Sequence, residues 1–114
     1  MKKHTKLSAQ ALPITFLPQL RHYLRQLYGK RLVDVVLFGS HARGDATPGS
    51  DIDILIVLQG PVRPGEEIAR VGDFTAALSL EHNAVISCTF VSADRFRTEK
   101  SPLLLNIHRE GVRL

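Results

Sequence analysis

The 114-residue sequence has one cysteine, no tryptophan and few aromatic residues, and these shortages exclude several classes of protein. A single thiol, Cys88, cannot form a disulfide within the chain, so we expect a small core residue in a reducing, cytoplasmic protein. No apolar run approaches the ~20 residues of a membrane-spanning helix, which argues against a membrane protein. The net charge of +4 comes from basic residues spread along the chain, a pattern that does not predict nucleic-acid binding.

What the sequence does contain is typical of one globular domain. Hydrophobic residues make up 44% of the chain and charged residues 23%. The basic start predicts a flexible tail over residues 1–13, and the rest predicts one domain over residues 14–114.

Periodicity and turn residues predict an α/β (more strictly α+β) fold, a small mixed sheet of three to four strands with helices packed on it. Strands are expected at 32–38, 52–58 and 84–91, with a short edge strand at 112–114, and helices at 14–28, 66–83 and 103–110. The short link between the first two strands predicts antiparallel pairing, and the helical crossover predicts a third strand parallel to the second. We expect Leu27 of the first helix and Ile68 of the second to face the sheet.

Two aspartates, Asp51 and Asp53, open the second strand, which is otherwise apolar. Residues at i and i+2 of a strand point to the same face, so the two carboxylates should lie close together. Their like charges repel each other, and partial burial also removes hydration. A divalent cation with oxygen ligands would relieve both effects, so the pair predicts a metal site.

Gly39 and Ser40 follow the first strand, where we predict a short helical turn. Such a start offers main-chain N–H groups and a hydroxyl to an anion, and Arg43 adds a guanidinium suited to phosphate oxygens. His41 contacts the nucleotide in one interpretation and is a solvated turn residue in the other. With the carboxylates across a small gap, this layout suits a magnesium–nucleotide complex.

Gly39-Ser40, ten residues and then Asp51-Ile52-Asp53 together resemble the GS-x10-DxD signature of the DNA polymerase β-type nucleotidyltransferase superfamily. The short chain is most similar to its minimal nucleotidyltransferase (MNT) members. The resemblance implies a polymerase β-like fold, with Gly39 and Ser40 binding the triphosphate of ATP and Asp51 and Asp53 holding catalytic Mg²⁺. We expect Arg43 to contribute to nucleotide binding as well, and Ser50 to orient the aspartate strand.

The same resemblance implies a reaction and a partner. It implies transfer of a nucleotidyl group, AMP from ATP, to an acceptor hydroxyl. MNT proteins often pair with a small helical HEPN-domain protein in toxin–antitoxin modules, where the MNT member is the antitoxin and can AMPylate its partner. A DxD pair alone is weaker evidence, because it also occurs on solvated loops, in calcium sites and in glycosyltransferases.

One element of the pattern is missing. Active relatives commonly carry a third acidic residue on the third strand, but residues 84–91 contain none. The nearest candidates are Glu81 before the strand and Asp94 after it, and Asp94 is better explained as a helix cap. Loss of a general base slows such a reaction by about 10²–10⁴-fold. An active transferase and a catalytically impaired antitoxin that neutralises a HEPN toxin by binding therefore both stay open, as does a homo-oligomer.

Overall fold

The computed structural model describes residues 15–114, so the tail predicted over residues 1–13 lies outside the described residues. None of the helices in this part of the chain is both long and apolar enough to cross a membrane. The elements follow in the order α1 (Leu17–Tyr28), a 3₁₀ turn (Gly29–Arg31), β1 (Leu32–Phe38), α2 (Ser40–Arg43), β2 (Ile52–Leu58), α3 (Pro64–His82), β3 (Ile86–Ser92), α4 (Ala93–Thr98), α5 (Pro102–Glu110) and β4 (Val112–Arg113).

The four strands form one mixed sheet in the order β3-β2-β1-β4. β1 pairs with β2 and with β4 in antiparallel orientation, whereas β2 and β3 are parallel. The predicted fold class and both predicted pairings are therefore confirmed. The antiparallel register sets Phe38 opposite Asp53, so the end of β1 meets the beginning of β2.

Helices cover both faces of the sheet, and alternate residues of the central strand β2 divide its side chains between two cores. Ile52, Ile54, Ile56 and Leu58 point to the face covered by α1 and α3. Leu55 and Val57 point to the face covered by α4 and α5, where Phe96, Leu104 and Ile107 pack against them. Because residue 53 shares the parity of residues 55 and 57, Asp53 belongs to this second face, and Asp51 lies just ahead of the strand.

The helices differ from the predicted apolar stripes at two positions. Leu27 is 38% exposed, because α1 buries Tyr28 instead as its last inward residue. Ile68 is 51% exposed, and the position before it, Glu67, is buried in its place. The Tyr28 hydroxyl donates to Glu67 Oε1 at 2.6 Å, so this carboxylate is satisfied inside the fold.

Candidate active site

The turn between β1 and α2 is built on Gly39, whose φ of +77° favours glycine. Space also requires glycine here, because a Cβ at this position would lie 2.3 Å from Asp53 Oδ2. The pairing of Phe38 with Asp53 produces this close approach. The turn and the second aspartate therefore lie side by side, as the predicted antiparallel pairing requires, and their roles stay a prediction.

α2 is a single helical turn that begins at Ser40, as predicted. The N–H groups of Ala42 and Arg43 both donate to the Gly39 carbonyl at 3.1 Å. The N–H groups of Ser40 and His41 have no main-chain acceptor within residues 15–114. These two main-chain donors and the half-buried Ser40 directly follow Gly39, the residue that the Asp53 carboxylate approaches.

Asp51 is exposed just ahead of β2, and Asp53 is half-buried as the second residue of the strand. Burial raises the pKa of the Asp53 carboxyl above its usual range, and the negative charge of Asp51 raises this pKa further. Arg43, and His41 when it is protonated, act in the opposite direction. The ionised pair is therefore held together at an electrostatic cost, which a bound cation would remove.

Arg43 lies near the aspartates but already has two anionic partners. Its Nε is 3.2 Å from Asp45 Oδ2, and its Nη1 is 3.7 Å from Glu110 Oε1 at the end of α5. The guanidinium is 44% exposed, so surface water screens both ion pairs. Phosphate binding by Arg43 stays a prediction, and the contact with Glu110, 67 residues further along the chain, could not be read from the sequence.

Ser50 lies directly before Asp51, near the end of the loop of residues 44–51 that joins α2 to β2. Its Oγ accepts the main-chain N–H of Thr47 at 2.9 Å, and its own N–H donates to the Thr47 carbonyl at 2.9 Å. These bonds shape a compact turn directly before the first aspartate. Both predicted roles of Ser50, orienting the aspartate strand and contacting the nucleotide, stay predictions.

His41 is 4% exposed, so the interpretation of a solvated turn residue is wrong. The ring lies under the loop, with Nε2 3.3 Å from the Ser50 carbonyl oxygen. The sequence could not indicate this burial, because it depends on a loop that returns across the turn.

The third strand places a hydroxyl where a third carboxylate was sought. Ser87 pairs with Asp53 in the parallel register and is exposed on the same face of the sheet. Within residues 15–114, no group of three or more His, Cys, Asp and Glu side chains could hold a metal ion. The described site therefore has two carboxylates and a neighbouring serine.

Neither predicted substitute completes this set. Glu81 lies in the last turn of α3, which covers the face opposite the aspartates. Its carboxylate lies 3.8 Å from His82 Nε2, and 64% of the side chain is exposed. Asp94 follows β3 at the other end of the sheet, where Ser92 pairs with Leu58. The prediction that Asp94 caps a helix is wrong, because Ser92 Oγ accepts the N–H of Arg95 and Asp94 lies inside the first turn of α4.

An open groove of about 900 Å³ lies on the other side of the loop. Its walls are the loop, the end of α3 and the segment of residues 83–85 that leads to β3, and Ile52 and His41 also line it. Since Ile52 points to the face opposite Asp53, the groove is separate from the carboxylates. The aspartates instead face solvent beside α2.

The donor set fits a divalent cation with oxygen ligands. Asp51 and Asp53 supply two carboxylates on one face, and phosphate oxygens held at α2 would complete the shell. Burial and the negative charge of Asp51 raise the pKa of Asp53, and a bound cation would act in the opposite direction. The residues present are therefore compatible with one Mg²⁺ bound together with a triphosphate.

Comparison with known proteins gives a family and a fold. The nucleotidyltransferase domain family matches residues 17–101. A curated relative from Methanocaldococcus jannaschii, described as a proposed protein adenylyltransferase, is 41% identical over 73 residues, which are 64% of this chain and 67% of the relative.

Two solved structures share the architecture. A crystal structure of a toxin–antitoxin with AMP-PNP aligns with a TM-score of 0.56 and 21% identity, over 80% of this chain and 66% of that one. A crystal structure of a proposed nucleotidyltransferase from Sulfolobus solfataricus aligns with a TM-score of 0.60 and 23% identity, over 93% of this chain and 85% of that one. The chain thus spans about two thirds of the length of the jannaschii relative and of the toxin–antitoxin chain. At these identities the two structures support the fold prediction.

Proposed function

This chain belongs to the nucleotidyltransferase domain family, and on that premise we propose that it transfers AMP from ATP to an acceptor hydroxyl with Mg²⁺ as cofactor. The observation that carries the proposal is the contact between the two halves of the site. The Asp53 carboxylate lies so close to Gly39 that no side chain fits between them. A metal-binding group and an anion-binding turn are thereby joined at one point of the fold.

Asp51 and Asp53 would hold the Mg²⁺. When bound, the ion neutralises charge on the triphosphate and on the leaving pyrophosphate. The carboxylates would fix the ion beside α2, since Asp53 projects from the beginning of a buried strand and Asp51 directly precedes that strand.

Ser40 and the free N–H groups of α2 would bind the terminal phosphates. They are donors fixed in place before the substrate arrives, so they stabilise growing negative charge without reorganising. Arg43 would add a positive charge at the rim, shared with Asp45 and Glu110. In the reaction the acceptor oxygen attacks the α-phosphorus, the bond to the β-phosphate oxygen breaks, and pyrophosphate leaves. The acceptor proton passes to solvent or to a group of the partner.

The acceptor we propose is a hydroxyl of a protein partner. The jannaschii relative is described as a proposed protein adenylyltransferase, and one similar structure is of a toxin–antitoxin with AMP-PNP. We therefore assign this chain the antitoxin role and a small helical HEPN-domain toxin as its substrate. A partner that brings its own base would also compensate for Ser87, which offers no carboxylate beside Asp53.

The serine at position 87 favours a second candidate function. With two carboxylates instead of three in the described site, the chain would neutralise a toxin by contact alone. This alternative keeps nucleotide binding but makes transfer dispensable.

Label transfer separates the two functions. The protein is incubated with α-labelled ATP, Mg²⁺ and the small helical protein encoded beside it, and label on either protein is measured. We expect labelling that Asp51→Asn and Asp53→Asn each reduce at least about 100-fold, whereas Asp73→Asn, an exposed aspartate of α3, leaves it unchanged. Neutralisation of the toxin that survives both site substitutions would instead establish the contact-only antitoxin.

A further inference from the structure

His41 joins the two halves of the candidate site through one hydrogen bond. Its Nε2 lies 3.3 Å from the carbonyl oxygen of Ser50. A carbonyl oxygen can only accept, so Nε2 carries the proton. Nδ1 is buried and has no hydrogen-bond partner in the described part of the chain, so the bond from Nε2 is the one that the ring makes there.

Few other hydrogen bonds connect the loop that this bond restrains to the rest of the fold. Gly44 and Gly49, with φ values of +90° and +92°, lie near its two ends and allow the backbone turns there. At the first end, the Asp45 N–H donates to the Ser40 carbonyl. Between residues 46 and 50, the other hydrogen bonds described for the loop run between Thr47 and Ser50.

Because of the positions of its two partners in the chain, this bond connects the Gly39–Ser40 turn to Asp51. His41 directly follows the Gly39–Ser40 turn, and the bonded carbonyl belongs to Ser50, directly before Asp51. His41 is 4% exposed and Ser50 is half-buried, so the bond is partly shielded from water. A change in the bond therefore moves the first aspartate relative to the anion-binding turn.

We propose that His41 is a positioning residue, whose hydrogen bond to the Ser50 carbonyl holds Asp51 in place relative to Gly39 and Ser40. The inference rests on the proposed function for the identity of the ligand that Asp51 binds. Fixing the loop before the ligand arrives removes an ordering cost from binding. Loss of one such bond should weaken metal–nucleotide binding about 3- to 10-fold.

Three variants test the link with Mn²⁺ and a non-hydrolysable ATP analogue as probes, measured by calorimetric titration. His41→Phe keeps a buried ring but removes the donor, and His41→Gln restores an N–H near the position of Nε2. His108→Phe is the matched control, because His108 Nε2 bonds a main-chain oxygen of Phe96 at 2.7 Å between α4 and α5. We expect weaker binding in His41→Phe, recovery in His41→Gln and wild-type affinity in His108→Phe.

Wild-type protein supplies a second readout that needs no variant to fold. Nitrogen-15 NMR of the histidine rings should show His41 as the tautomer protonated at Nε2. A proton on Nδ1 instead, or equal affinity of His41→Phe and wild type, would overturn the positioning role. Asp51→Asn separates failure of the proposed function from failure of the role of His41. If Asp51→Asn also binds the probes normally, the proposed function fails. If Asp51→Asn loses binding while His41→Phe does not, only the role of His41 fails.

Discussion

Asp53 Oδ2 lies where a side chain of residue 39 would have to be, 2.3 Å from a Cβ built on Gly39. This contact ties the end of β1 to the beginning of β2. It also makes the glycine a requirement of the site as well as of the turn, since Gly39 has a φ of +77°.

Gly39→Ala should therefore affect both stability and ligand binding. The positive φ costs a non-glycine residue about 1–3 kcal/mol, and the methyl group must also displace the Asp53 carboxylate. We expect a lower free energy of unfolding in urea and loss of Mn²⁺–nucleotide binding by calorimetry. Gly60→Ala is the matched control: its φ is +86°, but an added Cβ meets nothing within 4 Å. If both variants bind equally well, the contact with Asp53 has no functional meaning.

Asp53→Asn should stabilise the metal-free protein at neutral pH. Because the pKa of Asp53 is raised by burial and by Asp51, the folded state binds its proton more tightly than the unfolded state does. Ionised Asp53 therefore opposes folding, and the opposition disappears as the pH falls through its raised pKa. We expect Tm to rise by a few degrees at pH 7.5 and by less at pH 4.5, measured without divalent ions.

Protons should also oppose metal binding, because they compete with Mn²⁺ for the Asp53 carboxylate. Mn²⁺ affinity of the wild type should decrease as the pH is lowered towards 5. Asp73 is exposed on α3, so Asp73→Asn should change neither the Tm at pH 7.5 or 4.5 nor the affinity for Mn²⁺. A Tm that falls in Asp53→Asn at pH 7.5 would contradict the account.

Ser87→Asp should create the third carboxylate that the described site lacks. The parallel register places residue 87 beside Asp53 on the exposed face. We expect Mn²⁺ affinity to rise about tenfold, because each added oxygen ligand with a charge strengthens a hard-cation site. The metal-free protein should lose Tm through repulsion with Asp53. Ser87→Asn, similar in shape but uncharged, should give neither effect, and unchanged affinity in both would place residue 87 outside the site.

Away from the site, Glu67 is a buried carboxylate that organises the opposite end of the sheet. It accepts from the Tyr28 hydroxyl at 2.6 Å and from Arg70 Nε at 3.1 Å, with Arg31 Nη1 at 3.9 Å. Glu67→Gln should lower the free energy of unfolding by about 1–3 kcal/mol, since the charged hydrogen bonds are lost inside the fold. Urea unfolding at pH 7 measures this.

Tyr28 adds a pH dependence to that cluster. Burial raises the pKa of its hydroxyl above the usual range, and the hydrogen bond to Glu67 raises it further. Its contribution to stability is therefore complete below about pH 10, the pKa of an unfolded tyrosine, and is lost as the pH rises above it. Tyr28→Phe should flatten the fall in stability between pH 9 and 11, whereas Tyr23→Phe, which keeps the ring stacked on Phe74, should not.

Much of the fold follows from local sequence. The alternation and β-branched content of residues 32–38 and 52–58 give both central strands with their observed bounds. The first helix ends at Tyr28 as predicted, with Gly29 after it, but α1 begins at Leu17, three residues after the predicted start. The prediction that Ile68 and Leu27 face the sheet was wrong, because helical periodicity cannot tell which of two adjacent residues a particular neighbour will bury.

The sequence by itself determined that two carboxylates share one face of a strand and that a glycine–serine turn precedes them, because both depend only on spacing and backbone preference. Only the tertiary structure decided that Asp53 touches Gly39, that Ser87 is its neighbour and that His41 is buried under the loop. Strand register and loop return are set by packing between residues far apart in the chain, which no local pattern encodes.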